Sequence, residues 1–267
     1  MTLLFGQLVI GAPGAGKSTY CNAMIQMLKA IERPALYVNL DPANDLVPCQ
    51  CDIDIRELIT VEEVMEKLRL GPNGALRYCM QVLMKNIEWL KKKLENRKEY
   101  LIIDMPGQLE LYNSDFSIRN IVSTLGKYDL RLCAVHLSDC MHCSDAGKFV
   151  AVVLSTLSVM INLEIPQLNV LSKIDLLPES LPFDLDFFEE VPNLRYLVER
   201  LDDHPALRKY KDMCDKLSMV VEDYNLVSFL PLDVMDKEKL LKALQFADKA
   251  NGFWFLDKKD VRGLVIK

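Results

Sequence analysis

The sequence predicts an α/β protein with a doubly wound, mainly parallel sheet that carries helices on both faces. Short apolar segments of strand character alternate along the chain with longer segments of helical periodicity. The short segments lack the strict polar alternation of a half-solvated strand, since Ala134-Val135 and Val170-Leu171 are apolar at consecutive positions. The length of 267 residues, of which 50% are hydrophobic and 26% charged, suits one large globular domain or two small ones.

Strands are predicted where these apolar segments occur. They are Phe5–Ile10, Ala35–Leu40, Tyr100–Asp104, Leu130–Ser138, Gln167–Ser172 and Leu226–Leu230. The N-terminal segment is interpreted as the start of the first strand, because it has neither the basic flank nor the cleavage site of a signal peptide.

Helices are predicted between the strands. The first runs from Lys17 to about residue 31, and apolar residues three and four apart predict a second over Leu76–Leu94. A third carries apolar residues from Phe149 to Ile161 and has Ser144 or Asp145 as a candidate N-cap.

Composition excludes several classes of partner. The net charge of −6 provides no concentrated positive face, so direct DNA binding is not expected. No apolar run reaches the roughly 18 residues that a membrane span needs, so no membrane contact is expected either. The acidic, proline-containing stretch 178–192 is interpreted as a surface insertion.

A glycine-rich segment after the first predicted strand matches the P-loop pattern. It is Gly11-Ala12-Pro13-Gly14-Ala15-Gly16-Lys17-Ser18. Glycines let the backbone wrap a phosphate, and the amides at the start of the following helix face the anion. The predicted phosphate-binding residues are Gly14, Ala15, Gly16, Lys17, Ser18 and Thr19. Lys17 would reach the β- and γ-phosphates, and the Ser18 hydroxyl would bind Mg²⁺.

A second acidic residue is placed for the metal. Asp104 ends an apolar strand, at the edge where open α/β sheets bind ligands, so it is predicted to hold Mg²⁺ together with Ser18. Gly107 can offer its amide to the γ-phosphate, and Gln108 can orient a water for in-line attack. A helix or loop cap remains the alternative for Asp104, and an ordinary loop position remains the alternative for Gln108.

The segment Ser172-Lys173-Ile174-Asp175 follows a predicted strand and is a candidate base-binding motif. A carboxylate at Asp175 can accept two hydrogen bonds from guanine that adenine cannot donate, and the Lys173 stem can lie along the base. Asn is usual at the first position in GTPases, so Ser172 is expected to lose one supporting hydrogen bond. A surface turn is the alternative, and the segment 228–232 could close over the base with backbone groups or be an ordinary strand end.

The chain has eight cysteines, which we interpret as free thiols of a reducing compartment. Cys140 and Cys143, with Cys49 and Cys51, would complete a zinc site only if the fold brought them together, and Cys140 and Cys143 alone could form a redox pair. A loop with reduced thiols is the preferred interpretation. His136 lies within an apolar strand and is interpreted as a core residue with a satisfied hydrogen bond rather than as a ligand.

Taken in order, the motifs resemble those of the GPN-loop GTPase family over nearly the whole chain, from about Phe5 to Gly252. The tripeptide Gly71-Pro72-Asn73 lies between the P-loop and Asp104. The other shared segments are Asn39-Leu40-Asp41-Pro42-Ala43-Asn44, Asp104-Met105-Pro106-Gly107-Gln108-Leu109-Glu110-Leu111 and Ser172-Lys173-Ile174-Asp175. From residues alone, Gly71–Gly74 would be only a turn that starts the next helix.

The resemblance implies a single GTPase domain over residues 1–267, with GTP or GDP and Mg²⁺ as cofactors. It implies a homodimer, or a heterodimer with a sister GPN-loop GTPase, in which Gly71, Pro72 and Asn73 reach the partner's nucleotide. Asp41 would lie beside Mg²⁺ and the attacking water, with Gln108 and Glu110 flanking that water. The resemblance also implies RNA polymerase subunits or assembly factors as partners, and a cytoplasmic protein with access to the nucleus.

Two further functions remain open at this point. P-loops also serve kinases of nucleotides or polynucleotide ends, although no clustered arginines suggest a lid over an acceptor phosphate. A module that binds GTP without hydrolysing it is the third hypothesis, which Gln108 and Asn73 disfavour.

Overall fold

A computed structural model of the chain describes residues 3–44, 51–113, 116–144, 146–177, 210–224 and 227–255. The strands are β1 (Leu4–Gly11), β2 (Ala35–Asn39), β3 (Ile53–Asp54), β4 (Tyr100–Asp104), β5 (Leu130–Asp139), β6 (Gln167–Ser172) and β7 (Leu230–Leu232). The helices are α1 (Lys17–Ala30), α2 (Val61–Leu68), α3 (Pro72–Lys85), α4 (Ile87–Leu94), α5 (Glu110–Asn113), α6 (Phe116–Lys127), α7 (Ala146–Leu163), α8 (Lys211–Tyr224) and α9 (Lys237–Asn251).

The strands form one parallel sheet in the order β3-β2-β4-β1-β5-β6-β7. β1 is central, and β4 and β5 lie on either side of it. All the strands therefore present their carboxyl ends at one edge, where the loops that follow them meet. The predicted fold class is confirmed.

Both faces of the sheet are covered by helices. Along β1, Phe5 and Val9 pack on one side with residues of α1 and α9, such as Met24 and Leu240. Leu8 faces the opposite core, which contains residues of α2, α3, α4 and α6. A sheet buried on both faces needs apolar residues at consecutive strand positions, which is the pattern that predicted it.

Three elements differ from the sequence-based prediction. β3 was not predicted, because two residues are too few to show a periodicity. The last strand begins at Leu230, where the predicted one ended, and it contains Pro231, which is tolerated because β7 is the edge strand of the sheet. The predicted helix over Leu76–Leu94 divides at Asn86, whose side chain donates a hydrogen bond to the Val82 carbonyl.

Some predictions fall on residues that the structure does not describe. The acidic stretch 178–192, the candidate cap Asp145 and Cys49 lie outside the described residues. Among the residues that are described, no helix combines the length and the apolar character needed to cross a membrane.

Candidate functional site

The P-loop joins the end of β1 to the start of α1. Gly14 and Gly16 have φ values of +79° and +90°, a left-handed conformation that residues with a Cβ rarely adopt. Gly16 is the N-cap of α1, so the first amides of that helix are directed at the loop. The Ala15 amide donates to the Ala12 carbonyl at 3.2 Å, which curves the loop into a cradle.

The Lys17 ammonium lies over this cradle. Its Nζ donates to the Ala12 carbonyl at 3.3 Å, a long contact that a phosphate oxygen could replace. The loop after β4 closes the opposite side, because a Cβ on Gly107 would lie 2.6 Å from Lys17 Nζ and 3.1 Å from Pro13 N. A side chain at position 107 would displace the Lys17 ammonium and crowd Pro13, so glycine lets the two loops approach each other closely.

Ser18 and Asp104 meet at the metal side of the cradle, as predicted from their positions in the sequence. The Ser18 hydroxyl donates to Asp104 Oδ2 at 2.9 Å. Asp104 Oδ1 is buried and has no hydrogen-bond partner among the described residues. A hydroxyl and a carboxylate oxygen are ligands that suit Mg²⁺, so the residues present fit the ion that the resemblance implies.

The environment of Asp104 favours a cation. Burial raises the pKa of Asp104 above its ordinary value, against the opposing effects of the Ser18 hydrogen bond, the Lys17 charge and the Tyr37 hydrogen bond. A cation beside the carboxylate would favour its charged form and offset the cost of burial.

Two residues around Asp104 were not assigned a role from the sequence. The Tyr37 hydroxyl donates to Asp104 Oδ2 at 3.1 Å from the neighbouring strand β2. Asn44 Nδ2 lies 3.3 Å from Ser18 Oγ and 3.4 Å from Asp104 Oδ2. Asn44 ends the shared segment 39–44, which was a usable signal, whereas Tyr37 is an apolar-strand position that carries no such signal.

Asp41 lies on the same side of the site. Its Oδ1 accepts a hydrogen bond from the Ala43 amide at 3.0 Å, which shapes the turn that brings Asn44 to the metal side. Its negative charge contributes to the raised pKa of Asp104. Asp41 thus lies close enough to affect Asp104 electrostatically, and its role beside Mg²⁺ and the attacking water stays a prediction.

Gln108 and Asn73 are in direct contact within one chain. Gln108 Nε2 donates to Asn73 Oδ1 at 2.9 Å. Asn73 is exposed, and Glu110, the first residue of α5, is exposed as well. The structure thus brings the tripeptide to the loop after β4 of its own chain, a contact that sequence reasoning did not predict.

The tripeptide itself forms the first turn of a helix. Gly71 is an extended N-cap, and α3 begins at Pro72, four residues before the predicted start at Leu76. The plain turn that the residues alone would give is therefore replaced by the first turn of the helix. Proline at the first helical position supplies a suitable φ and lacks only an amide that would be unpaired anyway.

The base-binding segment follows β6 at the same edge of the sheet. Ser172 Oγ lies 2.7 Å from the Ala15 carbonyl, so Ser172 ties this segment to the P-loop despite its short side chain. Lys173 Nζ forms an ion pair with Asp139 Oδ2 at 2.7 Å. Ile174 and Asp175 begin a short 3₁₀ turn. Asp175 is exposed, and its carboxylate makes no hydrogen bond to another residue that the structure describes.

The segment 228–232 ends the last strand at Leu232, as expected, but only its last three residues belong to that strand. Phe229 is buried against Phe149, with ring centroids 5.7 Å apart, and Leu230 begins β7. The loop that follows this strand at the carboxyl edge therefore begins after Leu232, and closure of this segment over the base stays a prediction.

The sulfur and histidine residues have structural surroundings. Among the described residues, no group of three or more His, Cys, Asp or Glu side chains is arranged to hold a metal. Cys51 and Cys140 are free thiols that donate to backbone carbonyls. His136 is buried beside Thr156, and burial lowers its pKa to about 4, so it is a neutral core residue as predicted.

A glycine cradle, a lysine over it and a Ser–Asp pair at the carboxyl edge of a parallel sheet define a P-loop nucleotide-binding protein. A family model described as a conserved hypothetical ATP binding protein matches residues 9–253. GPN-loop GTPase 2 of Danio rerio is 47% identical over 262 residues, which cover 97% of this chain and 84% of that protein. The chain belongs to the GPN-loop GTPase family.

Other similar proteins agree with this assignment. GPN-loop GTPase QQT1 of Arabidopsis thaliana is 46% identical over 258 residues, covering 95% of this chain and 87% of that protein. The crystal structure of a GTPase from Pyrococcus abyssi in its apo form has a TM-score of 0.74 at 28% identity, covering 92% of this chain and 97% of that one. Four segments predict a particular likeness to GPN-loop GTPase 2, which is confirmed. They are Phe5-Gly6-Gln7, 41–44, Val227-Ser228-Phe229 and 248–252.

Proposed function

We propose that this protein binds GTP with Mg²⁺, hydrolyses it to GDP and phosphate, and works as a dimeric switch. The observation that carries the proposal is the Ser18–Asp104 hydrogen bond of 2.9 Å beside the Lys17-bearing P-loop. This arrangement holds the phosphates and the metal, and Asp175 at the same edge supplies an acceptor for the guanine base.

The chain's residues would act mainly by positioning and by neutralising charge. The P-loop amides and Lys17 would bind the β- and γ-phosphates, and Ser18 and Asp104 would hold Mg²⁺, which when bound stabilises negative charge on the phosphates. Gln108 would orient the attacking water, with Asp41 and Glu110 near it. Water activation by an oriented carboxamide needs no covalent intermediate.

Titration with GTP and with ATP, combined with measurement of phosphate release at several protein concentrations, tests this function. We expect GTP to bind in preference to ATP and phosphate to be released without any added acceptor. The rate per chain should rise with protein concentration if the dimer is the active form. Release only with a phosphate acceptor would identify a kinase, and tight GTP binding without release would identify a binding module.

Dimerisation is proposed through the face that carries Gly71, Pro72 and Asn73. These residues are exposed, and apolar side chains beside them are exposed as well, among them Leu68 and Leu70. A second copy of the chain would cover this apolar surface. The Asn73–Gln108 hydrogen bond is exposed to solvent. In a dimer, Asn73 could leave Gln108 of its own chain and bind beside Gln108 of the other subunit, at that subunit's nucleotide.

Mixing two inactive variants tests this exchange. Asn73→Ala and Gln108→Ala should each hydrolyse GTP slowly, because each lacks one member of the pair. If Asn73 acts on the partner, a mixed dimer has one of its two sites with both residues intact. Half of the dimers in an equal, randomly exchanged mixture are mixed, so mixing should restore about a quarter of the activity of the unmodified protein. Phosphate release by the mixture, compared with each variant alone, provides the measurement.

The matched control is a mixture of Asn73→Ala with Asn73→Ala/Gln108→Ala, which contains no complete site in either arrangement. Activity in the Asn73→Ala and Gln108→Ala mixture that stays at the level of this control, in a confirmed mixed dimer, would contradict action on the partner. It would instead favour the contact seen within one chain.

We also propose that the switch serves RNA polymerase subunits or their assembly factors, in the cytoplasm and with passage to the nucleus. Membership of the GPN-loop GTPase family supports this proposal. Capture from cell extract with the protein loaded with GDP or with a non-hydrolysable GTP analogue should recover polymerase subunits in a nucleotide-dependent manner. Recovery that is equal with both nucleotides and with no nucleotide would contradict a switch.

A further inference from the structure

We infer that Asp139 is a positioning residue of the base-binding site, whose carboxylate holds the Lys173 side chain in place for the purine ring. The inference rests on the proposed function and adds to it a residue outside the shared motifs. Asp139 ends β5, and it had no role in the sequence-based prediction.

The sheet brings the two residues together. β5 and β6 are parallel neighbours, and Asp139 pairs in register with Ser172, the residue before Lys173. Lys173 Nζ is 2.7 Å from Asp139 Oδ2. The other carboxylate oxygen, Oδ1, accepts the Met141 amide at 2.9 Å. Because both oxygens have partners, the carboxylate has one preferred orientation.

The Lys173 backbone is held from the same side. Lys173 has a φ of +62°, a left-handed conformation that is unfavourable for a residue with a side chain. The Cys140 thiol donates to the Lys173 carbonyl at 2.9 Å. Asp139 and Cys140 therefore fix the side chain and the backbone of Lys173, only two residues before Asp175.

The ion pair is partly shielded from solvent. The side chains of Lys173 and Asp139 are 34% and 22% exposed. Burial raises the pKa of Asp139, but the hydrogen bonds from Lys173 and the Met141 amide outweigh it, and the pKa lies below its ordinary value. Asp139 is thus charged at neutral pH and can keep Lys173 paired.

A lysine held in this way has lost its rotamer freedom before the nucleotide arrives. The long stem can then contact the purine face without the entropic cost of ordering a flexible side chain during binding. Contact with a purine face does not depend on the base's hydrogen-bonding groups, so Asp139 should affect affinity for guanine and hypoxanthine nucleotides alike. Discrimination between those bases would remain with Asp175.

A double-mutant cycle tests the inference with GDP binding measured by titration calorimetry. Asp139→Asn keeps an oxygen for the Met141 amide and removes the charge that holds Lys173. We expect this variant to bind GDP about fivefold more weakly than the unmodified protein, the scale of a partly exposed ion pair. In the Lys173→Met background, Asp139→Asn should cause no further loss of GDP affinity, because the ammonium group that Asp139 holds is absent.

Binding of IDP separates positioning from base reading. Asp139→Asn should weaken GDP and IDP by the same factor and leave their ratio unchanged. Glu88→Gln, which removes the charge of another ion pair, on α4, should leave both affinities unchanged. Thermal unfolding of each variant shows whether it is folded.

Two outcomes would overturn the inference. One is an equal loss of affinity from Asp139→Asn with and without Lys173, which would mean that Asp139 acts through the turn at Met141. The other is unchanged GDP affinity in folded Asp139→Asn. If the unmodified protein does not bind GDP, the proposed function itself fails, and that result is separate from either outcome.

Discussion

Lys17→Ala is expected to weaken GTP and GDP binding severely while the chain stays folded. Lys17 Nζ lies between the P-loop carbonyl of Ala12 and the loop at Gly107, where the β- and γ-phosphates would be bound. Removing one partner of a largely desolvated charge pair costs about 2–5 kcal/mol, so the dissociation constant should rise about 30-fold or more. Calorimetric titration with each nucleotide in Mg²⁺ provides the measurement.

Lys29→Ala is the matched control, because Lys29 lies on the last turn of the same helix and is exposed. It removes the same charge from α1 at a distance from the cradle, and its GTP affinity should equal that of the unmodified protein. Unchanged GTP affinity in a folded Lys17→Ala variant would show that the P-loop does not bind the phosphates. Equal losses in both variants would indicate a general effect of net charge.

The elements that could be predicted from the sequence are those whose pattern is local. Four strands are largely buried on both faces, namely β1, β4, β5 and β6. Such a strand consists mostly of consecutive apolar residues, which can be recognised within a short stretch of sequence. The functional residues Lys17, Ser18 and Asp104 follow directly after such runs or after the glycines. Their meeting at one edge follows from parallel strand direction alone.

Contacts between distant segments could not be predicted in the same way. Tyr37 reaches Asp104 because β2 and β4 are neighbours in the sheet, although the two residues are 67 positions apart. Asp139 reaches Lys173 across 34 positions for the same reason. Each of these pairs depends on the strand order, which hydropathy does not encode.

Helix and strand ends were the other source of error. The pattern over residues 76–94 is continuous, but the helix divides at Asn86, whose side chain donates to the Val82 carbonyl. At Gly71-Pro72-Asn73, the same residues suit a turn or the first turn of a helix, and the packing of α3 against α2 and α6 accompanies the helical alternative. Short polar residues favour caps and turns alike, so their local preference leaves the boundary undecided.

Asp175→Asn is expected to convert a GTP-selective site into one that prefers XTP. The Asp175 carboxylate would accept hydrogen bonds from N1–H and from the exocyclic amine of guanine. An Asn side chain at this position can accept from N1–H but must donate to the neighbouring group, which suits the C2 oxygen of xanthine and leaves the guanine amine unpaired. Sites built on such pairs discriminate by about 10⁴-fold, so the ratio of GTP to XTP affinity should fall by several orders of magnitude.

Competition of GTP, XTP and ATP for the site measures this ratio directly, with Asp212→Asn as the control. Asp212 is exposed on α8, so its change alters the net charge equally and should leave the ratio unaffected. A folded Asp175→Asn variant that still prefers GTP would show that another group reads the base. Asp175 is an exposed carboxylate three residues after β6, and the backbone groups after Leu232 follow the neighbouring strand at the same edge of the sheet. Those groups carry no charge, so a guanine preference that came from them would respond only weakly to Asp175→Asn.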